Sequence, residues 1–224
     1  PQTKGTSMGL QLSGLHHEQD ALYGRRNYDA AQNSFYANLI FQSIIGNTNH
    51  GIKAGLSTLV DNYSEQFENK LFTRNEIVPG AFAEYSYNYL TKFNMIAGLR
   101  ADYHNLFGAF VTPRLHLRYA PFENTAIRGS VGRAQRTANV LAENIGYMAS
   151  ARSFNFLGTN AALPYGLKPE VAWNYGVNLT QKFRLDYRDG AVSVDYYYTN
   201  FENQVVVDVE DANTVRFYNL NGMS

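Results

Sequence analysis

The sequence predicts an all-β chain, an antiparallel up-and-down meander that forms part of a transmembrane β-barrel. Three observations carry this. Apolar and polar residues alternate with a period of two along the whole chain, and helical periodicity is hard to find. The connections alternate between short turns and long segments. Charged residues are 17% of 224 and aromatics 14%, with 17 Tyr and 14 Phe, so charge does not hold this chain in water.

About ten strands can be read in order. The first, 6–16, contains the run GTSMGLQLSG, whose glycines lie within a strand. A long segment, His17–Ser34, leads to 35–45, where Phe35, Ala37, Leu39 and Phe41 oppose Tyr36, Asn38, Ile40 and Gln42. The short turn Gly46–His50 gives 52–63, and the long segment Ser64–Val78 leads to 79–88. The short turn Tyr89–Lys92 opens 93–103, where Met95, Leu99 and Tyr103 oppose Asn94, Arg100 and Asp102. Asn105–Gly108 is short where the alternation calls for a long loop. Strand 109–119 sets Leu115 and Leu117 against Arg114, His116 and Arg118, and Ala120–Asn124 turns into 125–135. The longest connection, Thr137–Glu170, precedes 171–183, where Trp173, Tyr175, Val177 and Leu179 oppose Asn174, Gly176, Asn178 and Thr180. Leu185–Gly190 turns into 191–202, and Asn203–Thr214 leads to 215–220.

Ten residues at ~3.3 Å each, tilted by about 45°, span roughly 23 Å, close to the apolar band of an outer-membrane barrel. Such barrels place short turns on the periplasmic side and longer loops outside. Tyr85, Tyr87, Tyr89, Phe93, Tyr119, Phe122 and Phe183 fall near the short turns, and Tyr103 and Trp173 near the long ones, where aromatic girdles belong. A soluble β-sandwich also alternates, but here the polar faces carry full charges and the strands exceed the usual 5–6 residues. Leu99, Leu115, Leu117, Val177 and Leu179 are therefore expected to face lipid, and Arg100, Arg114, Arg118 and Asn178 the interior.

Several functions are disfavoured. Nineteen basic and nineteen acidic residues cancel, unlike a nucleic-acid binder. Cysteine is absent, which excludes disulfides, thiol catalysis and Cys-ligated zinc. No GxSxG, HExxH, P-loop or dinucleotide fingerprint occurs, so neither an enzyme nor a cofactor is expected.

Arginine outnumbers lysine by 13 to 6. Arg100, Arg114, Arg118, Arg128 and Arg136 fall on the inward face, with Asp102, His104, His116, Glu84 and Asp195 among them. At mid-depth in lipid a guanidinium would cost about 2–4 kcal/mol, which supports that orientation. These forks either form an ion-pair lattice lining a polar interior or hold a separate plug inside the barrel by bidentate contacts to its carboxylates. His16 and His17, followed by Glu18 and Asp20, open a long segment and are candidate ligand contacts. Adjacent histidines on a strand diverge, so no metal site is expected there. In the longest connection Asn144, Tyr147, Arg152, Phe154 and Phe156 are the candidate substrate contacts.

From Val78 to Val207 the order of motifs becomes specific. Val78-Pro79-Gly80-Ala81-Phe82-Ala83-Glu84-Tyr85 and Gly98-Leu99-Arg100-Ala101-Asp102-Tyr103-His104 are followed by Thr112-Pro113-Arg114-Leu115 and Arg128-Gly129-Ser130-Val131-Gly132-Arg133. Then come Arg136-Thr137-Ala138-Asn139, Ala142-Glu143-Asn144, Leu167-Lys168-Pro169-Glu170 and Phe201-Glu202-Asn203-Gln204-Val205-Val206-Val207. This series resembles the barrel strands of TonB-dependent outer-membrane receptors, in style closest to the Bacteroidetes type. Gln135 stands where an aromatic often precedes the arginine, and Val140 where proline is common. Both departures bear on how the long loop begins.

The resemblance implies a 22-stranded barrel with an N-terminal plug, in the outer membrane of a Gram-negative bacterium, contacting its lipid. Such a receptor takes up a scarce nutrient: a metal chelate such as a siderophore or haem, cobalamin, or an oligosaccharide. Release is driven through the plug by the TonB complex. The chain is expected to be an internal piece of that barrel over 1–224, without the plug, the coupling box or the terminal aromatic of a last strand. The alternative function is a passive porin or an adhesin-like barrel.

Overall fold

The computed structural model describes residues 5–221; Pro1–Lys4 and Gly222–Ser224, to which the expectation of cut ends attaches, lie outside the described residues. Eleven strands form one open sheet. They are β1 (Ser7–Tyr23), β2 (Arg26–Ile44), β3 (His50–Phe67), β4 (Lys70–Tyr89), β5 (Phe93–His104), β6 (Gly108–Phe122), β7 (Thr125–Arg136), β8 (Ser153–Phe156), β9 (Glu170–Leu185), β10 (Arg188–Asp208) and β11 (Thr214–Asn221). Sheet order follows chain order except for β8, which leaves β7 beside β9 and adds to β11 as the one parallel pair. The meander of about ten strands is thus found, with a short eleventh supplied by a loop.

The two faces invert the pattern of a soluble protein. Leu56, Leu99 and Val177 are 63%, 55% and 54% exposed on one face, whereas Asp102, Glu76 and Ser57 are 6%, 6% and 7% exposed on the other. Buried polar groups behind exposed aliphatic ones mark a wall whose solvent is lipid outside and water inside. Register places Leu99, Leu115, Leu117, Val177 and Leu179 on the apolar face, and Arg100, Arg114, Arg118 and Asn178 on the other. The period-two ladder enforces this, since a one-residue slip would turn every side chain over.

The short turns lie where the alternation puts them. At Asp186–Tyr187 both central residues have positive φ (47° and 62°), the two-residue geometry that follows strand twist. Three connections differ from expectation, one of them Asn203–Thr214, where β10 runs on to Asp208 and pairs with β11. His17–Ser34 is not a loop: β1 and β2 stay paired up to Tyr23 and Arg26, with Gly24 (φ 66°) opening the turn. Ser64–Val78 is likewise a continuous hairpin paired to Phe67 and Lys70. These strands of 17–20 residues run well past an apolar band that needs about ten. The outward face of the extensions meets water instead of lipid and the inward face meets the folded loop, so their sequences lack the alternation that marks a half-lipid strand.

Thr137–Lys168 is a true long loop, and it is folded. Two single helical turns, α1 (Val140–Glu143) and α2 (Ile145–Met148), precede β8 and a tight turn at Pro164–Gly166. Leu141, Met148 and Phe154 pack with Tyr28 and Phe67 from the β2 and β3 extensions and with Val215 and Phe217 from β11. This is the largest apolar core in the described residues, and it sits beyond the apolar band, above the lumen.

Candidate functional site

The lumenal side chains fall into tiers along the wall. In the upper tier Arg100 grips Asp102 with both prongs (Nε–Oδ2 2.7 Å, Nη2–Oδ1 2.6 Å) and reaches Ser57 Oγ at 2.7 Å. Gly80 makes room for this pair, because a Cβ there would lie 1.9 Å from Asp102 Oδ1. At the rim Arg136 bridges Glu143 of the loop (2.7 Å) and Glu170 of β9 (2.6 Å), pinning both ends of the long connection. In the middle tier Glu84 takes Arg114 at 2.5 Å and Lys53 at 3.8 Å, with Gly98 opposite the Arg114 stem. The lower tier differs. Arg118 donates to the Thr91 carbonyl (2.9 Å), and Arg128 donates to Asn178 Oδ1 (2.8 Å) and Thr180 Oγ1 (3.3 Å).

Above Arg100 the β2–β7 wall and the start of the long loop enclose a recess of about 450 Å³, lined by Tyr36, Tyr63, Arg74, Glu76, His104, Phe107, Phe110 and Asn139 among others. A second, of about 570 Å³, lies under the Ala161–Gly166 segment, and Arg74 lines both. Arg74 stacks on Tyr63 with its guanidinium carbon 3.7 Å from the ring centre, sits 3.1 Å from Glu76, and donates to Asn139 of the loop. Its side chain is 6% exposed; Nε is the atom that faces Glu76 Oε1, and Nη1 has no hydrogen-bond partner among the described residues. His104 Nδ1 accepts from the Leu106 N–H, which puts its proton on Nε2, 3.6 Å from Glu76. Burial works to raise the Glu76 pKa, but the His104 hydrogen bond and the Arg74 charge outweigh it and hold the carboxyl below its ordinary value. Glu65 fixes the loop to the wall: the Tyr28 hydroxyl donates to it at 2.8 Å, and the Tyr165 hydroxyl donates to its other oxygen. Burial first, and the Glu65 charge second, push both tyrosines well above their usual range.

Arg100, Asp102, Arg114, His116, Arg118, Arg128 and Arg136 all stand on the lumenal face, but as three separate groups. His16 and His17 lie within β1 on opposite faces; His16 contacts Asn33 (2.7 Å) and Glu18 (3.3 Å) on the outer one. Among the described residues no cluster of His, Asp or Glu could hold a metal. Asn144 bonds the Val140 carbonyl, and Arg152 bonds the Val209 carbonyl. Phe154 is 7% exposed and Phe156 stacks on Phe217 at 5.2 Å, so both rings belong to the loop core. Tyr147, 37% exposed, is the most open of the five. Arg74, Tyr63, Phe107 and Phe110 were not singled out from sequence. Arg74 and Tyr63 sit in a segment read as loop or at its border, and only the hairpin's continuation turns them inward.

The comparisons agree with this wall. A family model described as TonB dependent receptor-like, beta-barrel matches residues 2–223, and the chain belongs to that family. It is a receptor barrel, not an enzyme. No curated protein matches it. Among solved structures, Pseudomonas aeruginosa FpvA bound to heterologous pyoverdines is 13% identical with a TM-score of 0.62, over 98% of this chain and 35% of that one. The siderophore receptor PirA from P. aeruginosa is 14% identical with a TM-score of 0.60, over 96% and 42%. The iron transporter FrpB from Neisseria meningitidis is 15% identical with a TM-score of 0.56, over 87% and 31%. At these identities the likeness is one of fold. The chain spans about a third to two fifths of the length of those proteins, and none of the three speaks for the Bacteroidetes type.

Proposed function

We propose that this chain is the ligand-capturing part of an outer-membrane receptor barrel that takes up a ferric siderophore or a similar metal chelate, driven by TonB acting through a plug domain. The observation that carries the reading is the outer recess. It is bordered by the start of the folded loop and lined by aromatic rings together with the charged groups Arg74, Glu76 and His104, at the wet end of a wall whose other face is apolar. A chelate with catecholate or hydroxamate arms offers flat rings and anionic oxygens, which suit aromatic faces and a guanidinium. The names of the similar structures support the chelate over cobalamin or an oligosaccharide. A passive porin fits less well, because the loop here is stitched to the wall by Tyr165 on Glu65 and by Glu143 on Arg136.

The test is binding and uptake of iron-55 chelates by cells expressing the full receptor. Arg74→Ala should weaken chelate binding by about tenfold, the loss of one charged hydrogen bond. Uptake should stop when TonB is deleted. Chelate-independent passage of small sugars, unchanged without TonB, would establish the porin instead.

A further inference from the structure

One stretch of the wall is not closed by backbone. β6 and β7 pair from Phe122 and Thr125 up to Arg114 and Gly132; above that point Gly108–Pro113 and Arg133–Arg136 form no pair with each other among the described residues. The Val111 carbonyl points to the β7 side, where Arg133 Nη1 takes it at 3.1 Å. Main-chain groups two residues apart on a strand point to the same neighbour, so Pro113 also faces β7, and proline has no N–H to give. Nε and Nη2 of Arg133 hold Glu202 of β10 at 3.2 and 2.8 Å, and Trp173 Nε1 donates to that carboxylate at 2.9 Å. One guanidinium thus closes the seam. The outer recess reaches it from within, with Phe110 and Thr112 on one bank and Arg133 and Ala134 on the other. On the apolar face, directly below the seam, lies a groove of about 260 Å³ walled by Leu115, Leu117, Val131, Tyr175, Val177 and Tyr196. Gly129 keeps this groove open, since a Cβ there would meet nothing within 4 Å.

We propose that the receptor takes a chelate carrying an alkyl tail, whose polar head occupies the outer recess and whose tail passes through the β6–β7 seam into this groove. Resting on the chelate-uptake reading, the site narrows the substrate class. A charged and aromatic recess and an apolar groove meet at the one interruption of the ladder between β6 and β7, and an amphiphile is the ligand whose two halves match both. Parting the banks breaks the Arg133 hydrogen bond to Val111 and no backbone ladder, whereas the paired wall below would have to give up a row of backbone bonds. Arg133 stays neutralised by Glu202 as it swings aside, so no bare charge is left at the lipid boundary.

The full receptor in lipid vesicles is titrated with a ferric catecholate bearing a dodecyl tail and with the same chelate lacking the tail. The tailed form should bind about tenfold more tightly, the worth of roughly two buried methylene groups. Gly129→Leu, whose Cβ has open space, fills the groove and should remove that advantage while leaving the tail-less affinity unchanged. Equal affinities in the parent receptor, or an advantage that survives Gly129→Leu, overturn the proposal. Passage through the seam is read with a bimane dye on Thr112→Cys, on the lumenal side, and on Leu99→Cys, on the apolar face. A brominated tail on the chelate should quench the Thr112→Cys dye, and brominated lipid should quench the Leu99→Cys dye alone. Quenching of the Thr112→Cys dye by lipid without chelate assigns the seam to a membrane lipid and overturns the ligand; no quenching there by either, while the Leu99→Cys dye responds to lipid, overturns it too. TonB-dependent iron uptake separates the two claims. A tail effect without uptake removes the uptake reading and leaves the site, and uptake of the tail-less chelate with no tail effect does the reverse.

Discussion

Arg100 and Arg114 look interchangeable in the sequence, each an arginine beside a leucine of the opposite face, yet their surroundings set very different weights. The Asp102 side chain is 3% exposed and takes both Arg100 prongs, so Arg100→Ala would strand a buried carboxylate. That change should cost about 3 kcal/mol of unfolding free energy. Arg114 is 54% exposed, and Arg114→Ala should cost no more than about 1 kcal/mol. Urea unfolding in lipid vesicles measures both, and equal losses would refute the tiered picture. Glu76 gives a pH expectation. Its folded pKa lies below the unfolded value, so its contribution is full above the unfolded pKa and is lost as pH falls through the folded one. Acidification into and below the ordinary carboxylate range should therefore lower the amide protection factors at Thr137–Asn139, where Arg74 meets the loop, and Glu76→Gln should flatten that dependence.

Among the elements, the hairpin turns and the long loop carry the sharpest expectations. Tyr187 sits at φ 62° with 87% of its surface exposed. Tyr187→Gly relieves a left-handed penalty of about 1 kcal/mol. It forfeits a stacking contact with Arg184, 5.7 Å away, worth about 0.5 kcal/mol. The variant should be slightly more stable in the same urea titration. Deleting Ala149–Pro164 removes β8, and with it Phe154 and Phe156, which pack on Phe67, Phe72 and Phe217. Chelate uptake should fall, and exchange should rise in the outer halves of β2, β3 and β4 while their membrane halves stay protected. A deletion that loosens the membrane halves equally would show that the wall depends on the loop.

At the scale of the whole molecule, the sheet is open, and β1 presents Ser7–Tyr23 with a partner on one side alone. Unpaired strand edges recruit other edges. The 224-residue chain refolded alone in detergent should therefore form oligomers, seen by light scattering, that disappear when the remaining strands of the parent barrel are supplied. A stable monomer would mean that β1 and the β11–β8 edge find another way to be covered.

What the sequence determined follows from local physics. Alternation with a period of two says which side chains share a face, and the cost of a charge in lipid says which face is inward, so the wall, its sidedness and the lumenal position of Arg100 through Arg136 were legible. Short turns were legible because glycine and polar residues interrupt that alternation. The extensions of β1 through β4 were not, since beyond the lipid their outward face turns polar and the regular alternation is lost, so they read as loops. The same holds for the functional core of the outer half. Tyr28, Phe67, Leu141, Phe154 and Phe217 are far apart in the chain and carry no shared period; only the tertiary fold, by bringing Thr137–Lys168 over the lumen, makes them one core and turns Arg74 from a loop residue into the buried centre of a recess. Which arginines meet wall carboxylates and which meet neutral acceptors was likewise decided by register, because it depends on what stands on the neighbouring strand.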